Sequence, residues 1–196
     1  MKIQDRDLQI IDFIKRVVVA DTNTIHKIFF NHCSIRSCQK RLQKLEEGKY
    51  IKSFRETILD QKIFYINRKP SSYKHKIVFS QLIGEMTSQG IEIVKYKTPL
   101  KLHNVIADGF IIYKTDSVKM AFVEVERCKN FNIKKYEDLY YSRAWKSNFE
   151  KFPGIIVAKV APTAKNASSA DCEETKVSIP QGGSPVTGTL DLSFLD

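Results

Sequence analysis

Long apolar runs are missing from this chain. No stretch approaches the roughly 18 residues that a membrane-spanning helix needs, so no membrane partner is expected. Signals for cysteine pairing are missing as well. Cys33, Cys38, Cys128 and Cys172 form no CxxC pair and have no histidine at zinc spacing, which reads as ordinary thiols of a reducing compartment. Glycine is scarce, at eight residues, and none builds a phosphate-cradling loop; Gly182 and Gly183 lie in a Ser/Thr-rich stretch instead. The four histidines, His26, His32, His75 and His103, are scattered, and no serine or cysteine has a convincing base beside it. The opening MKIQDRDLQ is charged and lacks the apolar core of a signal peptide, so a cytoplasmic location is expected. Acid is in shortest supply relative to its opposite. Thirty-two Lys and Arg face 22 Asp and Glu, a net charge of +10, and a basic body invites a polyanion, of which duplex DNA is the commonest.

The charge is uneven, and its unevenness marks three segments. Residues 1–70 hold 15 basic and 8 acidic groups, residues 71–160 hold 15 and 9, and residues 161–196 hold 2 and 5. The first segment is rich in helical patterning and ends in a hairpin pattern. The second, residues 73–160, opens with a helix and continues with apolar strand-like runs. The third, residues 161–196, contains AKNASSAD and IPQGGSPVTGT with one aromatic residue, Phe194. It has too little apolar area to offset its ordering entropy and is expected to be a flexible tail.

In the first segment, Asp5 or Asp7 suits the start of a helix whose apolar positions are Leu8, Ile11, Ile14 and Phe13. Asp21 or Thr22 suits a second cap, with Ile25, Ile28 and Phe29 on the buried face. Ser34 suits a third, running to about Glu47 with Ile35, Cys38, Leu42 and Leu45 as its apolar stripe and Gly48 as its stop. The outward positions of this third helix are Arg36, Ser37, Gln39, Lys40, Arg41, Gln43 and Lys44, four of them cationic and none acidic. Arg36, Ser37, Gln39 and Lys40 are expected at base edges or nearby phosphates, Lys44 at phosphate and Arg41 at either. Two β-rich runs follow, Tyr50 to Phe54 and Lys62 to Ile66, around a loop flanked by Arg55 and Lys62, which are expected to touch phosphate or the minor groove. Three helices and a hairpin, with the phrase RSCQKRLQKLEEGKYI, resemble the recognition-helix-to-wing stretch of bacterial winged-helix regulators. Some winged helices bind proteins rather than DNA, and that alternative stays open.

The second segment reads as a helix over residues 73–89, strands at Ile91 to Tyr96, Val105 to Tyr113 and Val118 to Glu126, a helix from Ile133 to Phe149 and a short apolar strand at Ile155 to Ala158. Three acids interrupt apolar strands: Asp108 in VIADGFII, and Glu124 and Glu126 in AFVEVER. Buried carboxylates are costly unless paired or bound to a cation. Glu124 and Glu126 share one face of their strand. Asp108 joins that face only if the intervening loop has an odd number of residues; a two-residue loop at Thr115-Asp116 would set it against Val123. Such a trio would suit Mg²⁺ or Mn²⁺ through oxygen ligands. The competing reading is structural, with Glu126 paired to the neighbouring cation Arg127 or to a helix lysine and Asp108 capping a turn before Gly109.

This order and spacing resemble the PD-(D/E)xK nuclease superfamily. The resemblance implies that Asp108 and Glu124 match its two acids and makes Asp108, Glu124 and Glu126 the candidate catalytic and metal positions. Glu126 stands where the superfamily has its lysine. Over about residues 5–160 the chain resembles the replication-relaxation family of plasmids and mobile elements. That resemblance implies a winged helix-turn-helix over residues 1–70, a restriction-endonuclease-like α/β sheet domain over residues 73–160, and so an α+β fold. It implies a DNA-binding accessory or regulatory protein, acting in replication, mobilisation or transcription regulation, with a nuclease-like domain that does not catalyse. Double-stranded DNA, a second copy of the chain and a replication or mobilisation protein are the expected partners. The rival expectation is a metal-dependent DNA endonuclease using Asp108 and Glu124.

Overall fold

A computed structural model describes residues 2–126 and 132–159. The expected tail at residues 161–196, Cys128, Cys172 and Arg127, the neighbouring cation available to Glu126, lie outside the described residues. The architecture is mixed α+β.

The first half runs α1 (Asp5–Val17), β1 (Ala20–Asp21), α2 (Thr22–Phe29), α3 (Ile35–Glu47), β2 (Lys52–Phe54) and β3 (Ile63–Tyr65). Helix α1 starts at Gln4, whose backbone N–H donates to Asp7 Oδ2 at 2.8 Å. Asp7 therefore serves the helix start from inside its first turn, while Leu8, expected on the buried stripe, is exposed; Ile10, Phe13, Ile14 and Val17 fill the core side. Asp21 caps α2 by accepting from Thr24 N at 2.7 Å, and Ser34 caps α3 by accepting from Ser37 N at 3.3 Å, each filling an otherwise unsatisfied helix-start donor. Cys38, Leu42 and Leu45 are the buried face of α3; Ile35 is exposed. The stop differs from the glycine signal. Gly48 keeps φ −75°, and Lys49, at φ 61°, takes the left-handed turn while Tyr50 N reaches back to Leu45 O at 3.0 Å. Strands β1, β3 and β2 form an antiparallel sheet in that order.

The second half runs α4 (Tyr73–Ser88), β4 (Glu92–Lys97), β5 (Leu100–Leu102), β6 (Val105–Ala107), β7 (Gly109–Lys114), β8 (Val118–Glu126), α5 (Lys134–Ser142), a 3₁₀ turn (Ala144–Ser147) and β9 (Gly154–Lys159). Its main sheet has the order β4-β7-β8-β9, with β9 alone parallel to its neighbour. Two expected elements are broken. The run Val105 to Tyr113 splits at Asp108, because its first three residues leave the main sheet to pair with β5. The helix expected over Ile133 to Phe149 splits at Arg143, which adopts φ 58°; Trp145 Nε1 then donates to Tyr140 O at 3.1 Å and folds the 3₁₀ turn back.

The side-chain period of two divides the sheet between two layers. Ile111, Tyr113, Ala121 and Val123 face α4, and Phe110, Ile112 and Phe122 face α5 and the β5–β6 hairpin. The α4 layer belongs to a core that is continuous with the first half: Phe79, Ile83 and Met86 of α4 share it with Ile10, Phe13, Ile25, Leu42 and Phe64. Two glycines permit the close approaches. A Cβ on Gly84 would lie 3.1 Å from Thr24 Cγ2 of α2, and one on Gly109 would lie 2.0 Å from Phe79 Cε2. Helix α4 thus packs closely on both α2 and the sheet, with little room for a side chain at Gly84 and none at Gly109 unless Phe79 moves.

Candidate nucleic-acid interface and carboxylate cluster

Helix α3 turns its polar face to solvent. Arg36, Ser37, Gln39, Lys40, Gln43 and Lys44 are exposed, and Arg36, Lys40 and Lys44 make no ion pair with an acid among the described residues. Gln43 Nε2 donates to Glu47 Oε1 at 2.9 Å near the end of the helix. The three cations are spaced four apart, so they lie along one side of a rod about 10–12 Å in diameter, a width that matches a B-DNA major groove of about 12 Å.

Two residues expected at the same surface are committed elsewhere. Arg41 turns inward: its Nε donates to Asp7 Oδ1 at 2.8 Å, its Nη2 donates to Asp7 Oδ2, and the same Nη2 reaches Lys2 O at 3.1 Å. The Arg41 guanidinium, through its hydrogen bonds, holds the Asp7 carboxyl below the usual range against the opposing effect of burial. Arg41 is therefore a tie between α3 and α1. Lys62 donates to Glu46 Oε2 at 2.7 Å, and Ser53 donates to Glu46 Oε1 at 2.5 Å. Burial, the largest single effect, pushes the Glu46 carboxyl up; the hydrogen bonds from Lys62 and Ser53, with the charges of Lys62 and Arg55, together bring it below its ordinary value. Lys62 thus fastens the hairpin to the end of α3. Arg55 is exposed at the start of the hairpin loop and donates from Nη1 to Ile58 O at 3.0 Å. The loop is closed by Thr57 N donating to Asp60 Oδ2 at 2.8 Å, and it carries two apolar side chains outward, Ile58 at 89% and Leu59 at 96% exposure.

On the main sheet, Lys114 pairs with Val118, leaving a three-residue loop, and the ladder runs to Gly109 opposite Val123. One further step along that register sets Asp108 against Glu124, the outcome an odd loop requires. The ladder is replaced there by side-chain chemistry. Asp108 Oδ2 accepts from Val125 N at 2.8 Å, so the carboxylate satisfies a donor of β8 where β7 has ended. Asp108 Oδ1 lies 3.7 Å from Nδ1 of His75 in the first turn of α4, and Thr98 Oγ1 donates to the Asp108 backbone carbonyl at 2.7 Å. Glu124 Oε1 accepts from Lys135 Nζ at 2.7 Å and from the Tyr136 hydroxyl. Burial drives the Tyr136 phenol far above its ordinary range, and the bond to Glu124 adds to that.

Among the described residues no group of three His, Cys, Asp or Glu side chains is placed to hold a metal ion. One Asp108 oxygen accepts from a backbone N–H, and one Glu124 oxygen accepts from an ammonium and a hydroxyl. Lys135 and Tyr136 were not legible as partners of Glu124. The available signal was their position in the first turn of the helix that follows β8. His75 had none, being 33 positions before Asp108. No helix among the described residues is long and apolar enough to cross a membrane. Comparison with family models, curated proteins and solved structures finds no match to this chain.

Proposed function

We propose that the protein is a duplex-DNA-binding accessory or regulatory protein, and that α1 to β3 are a winged helix-turn-helix with α3 as its reading helix and the β2–β3 hairpin as its wing. The observation that supports this best is the outward row Arg36, Lys40 and Lys44, exposed and unneutralised by described acids, with Ser37, Gln39 and Gln43 between them. Cations along the row contact phosphates, and the amide and hydroxyl side chains between them reach base edges. The nuclease-like arrangement of β7, β8 and α5 serves as a scaffold: its carboxylates hold strand ends and a helix start, and it does not cleave. The test is a gel shift on duplex DNA with the triple variant Arg36→Ala, Lys40→Ala, Lys44→Ala. Binding should be abolished with the circular dichroism spectrum unchanged; wild-type affinity in the triple variant would reject the reading.

A second reading has its own observation. Ile58 and Leu59 are held outward at the hairpin tip by a closed turn, and exposed apolar pairs of this kind suit a protein partner. A pull-down that survives nuclease treatment and is lost in Ile58→Ser, Leu59→Ser would favour a protein-binding hairpin.

A further inference from the structure

An open groove of about 600 Å³ lies on the far side of the hairpin from α3, lined by Arg68, Lys69, Pro70, Ser71 and Tyr73. Its place follows from the strand alternation. Ser53 points to α3, where it meets Glu46, while Phe54 points the other way and packs edge-on against Tyr65 and Tyr73, with centroids 5.9 and 4.9 Å apart. Lys69 Nζ sits 3.9 Å from the Phe54 ring centre and 5.9 Å from that of Tyr73. Rings hold an ammonium in place without cancelling its charge, and they leave its N–H donors available. Arg68 is exposed, and neither it nor Lys69 makes an ion pair among the described residues. The acid on the neighbouring loop, Glu56, is taken by Lys74 at 3.5 Å. The groove therefore offers two uncompensated cations and a serine hydroxyl, one cation pre-positioned by aromatic packing, and no carboxylate in its lining.

We propose that this groove is a second anion seat, filled by backbone phosphates of the same duplex where it continues past the hairpin. This rests on α3 being the DNA-reading helix and extends the footprint beyond it. The protein then grips DNA on both sides of the hairpin, with α3 in one groove of the duplex and Arg68 and Lys69 on the sugar–phosphate backbone beyond. Contacts of that kind carry affinity and salt dependence and no base preference.

The experiment compares the full-length wild type with Arg68→Ala, Lys69→Ala on two duplexes sharing one centre, one of about 12 and one of about 30 base pairs, by fluorescence anisotropy across a salt series. On the long duplex the double variant should bind roughly tenfold more weakly, and its log K against log salt should be shallower by about 2, near 0.9 for each lost phosphate contact. On the short duplex it should match wild type. Because Lys69 also packs on Phe54, the single variant Arg68→Ala serves as control, with a loss of about 1 in the slope. Equal affinity and slope for wild type and both variants on the long duplex would overturn the second seat while leaving α3 intact as reader. An equal loss on both duplexes would overturn it too, placing these cations at the α3 contact. A wild type that binds neither duplex would remove both assignments together.

Discussion

Arg41 lies on the same helix as Arg36, Lys40 and Lys44, yet it closes on Asp7 of α1, with Nε 2.8 Å from Oδ1. Asp7 is 1% exposed, and its carboxylate serves both the start of α1 and the guanidinium of α3. Removing one partner of a buried pair leaves an uncompensated charge, at a cost of about 3 kcal/mol. Arg41→Ala should lower the unfolding free energy by that order in urea titrations, and at temperatures where it stays folded its duplex affinity should equal wild type. A loss of affinity matching that of Lys40→Ala would contradict the structural role.

The same pair sets a pH dependence. Arg41 lowers the folded-state value of Asp7 from 3.8, so the stabilisation is fully present above that value and is lost as pH falls through the lower folded value. The stability gap between wild type and Arg41→Ala should therefore be widest near neutrality and shrink as pH drops below 3.8. A gap that is constant from pH 7 to pH 2.5 would show that the pair contributes through packing alone.

The proposed role of the α3 row predicts a salt signature. Three phosphate contacts correspond to a slope of about 2.7 in log K against log salt. The triple variant's residual binding should be shallower than wild type by about that amount, whereas Lys62→Ala, whose ammonium is held by Glu46, should change the slope little and lower stability instead. Equal slope changes for Lys62→Ala and Lys40→Ala would place Lys62 at the DNA.

Gly109 is the tighter of the two glycines in the main sheet among the described residues. A methyl group there would overlap Phe79, and overpacking of this kind costs about 1–3 kcal/mol or more. Gly109→Ala should be strongly destabilised by thermal melting, and Phe79→Leu in the same chain should recover part of the loss even though Phe79→Leu alone destabilises. No recovery in the double variant would mean that the strand, rather than the ring, resists the change.

Lys135 neutralises Glu124 where both are largely shielded from water. Hydrogen bonds to charged groups contribute about 1.5–3 kcal/mol. Lys135→Met should therefore destabilise by about 2 kcal/mol, and Lys135→Met with Glu124→Gln by less than the two singly, a coupling readable in a double-mutant cycle. Supercoiled plasmid incubated with the wild type and Mg²⁺ or Mn²⁺ should remain intact; nicking lost in Asp108→Ala would overturn the scaffold assignment.

Much of this was legible where the determinants are local. Asp21 and Ser34 are caps within three residues of the donors they serve, and β8 spans Val118 to Glu126 as its apolar run indicates. The inward turn of Arg41 was half legible. It stands three after Cys38 and four before Leu45, which puts it on the border of the buried stripe, but its partner is 34 residues away. The break at Asp108 was not legible, because nine residues from Val105 to Tyr113 suit one strand and only the pairing of β5 with β6 divides them. Lys69 was likewise hidden: its value depends on Phe54 and Tyr73 meeting across a loop.

Helix α4 belongs to two neighbours at once, pressed against Thr24 at Gly84 and against β7 at Gly109. A fragment ending near residue 70 would lack Phe79, Ile83 and Met86, which share one core with Ile25 and Phe64, so residues 1–70 without α4 should not fold as they do in the whole chain. By the same token, the hairpin end of α4 is joined directly to the sheet, since His75 in its first turn lies 3.7 Å from Asp108 and Phe79 lies against Gly109.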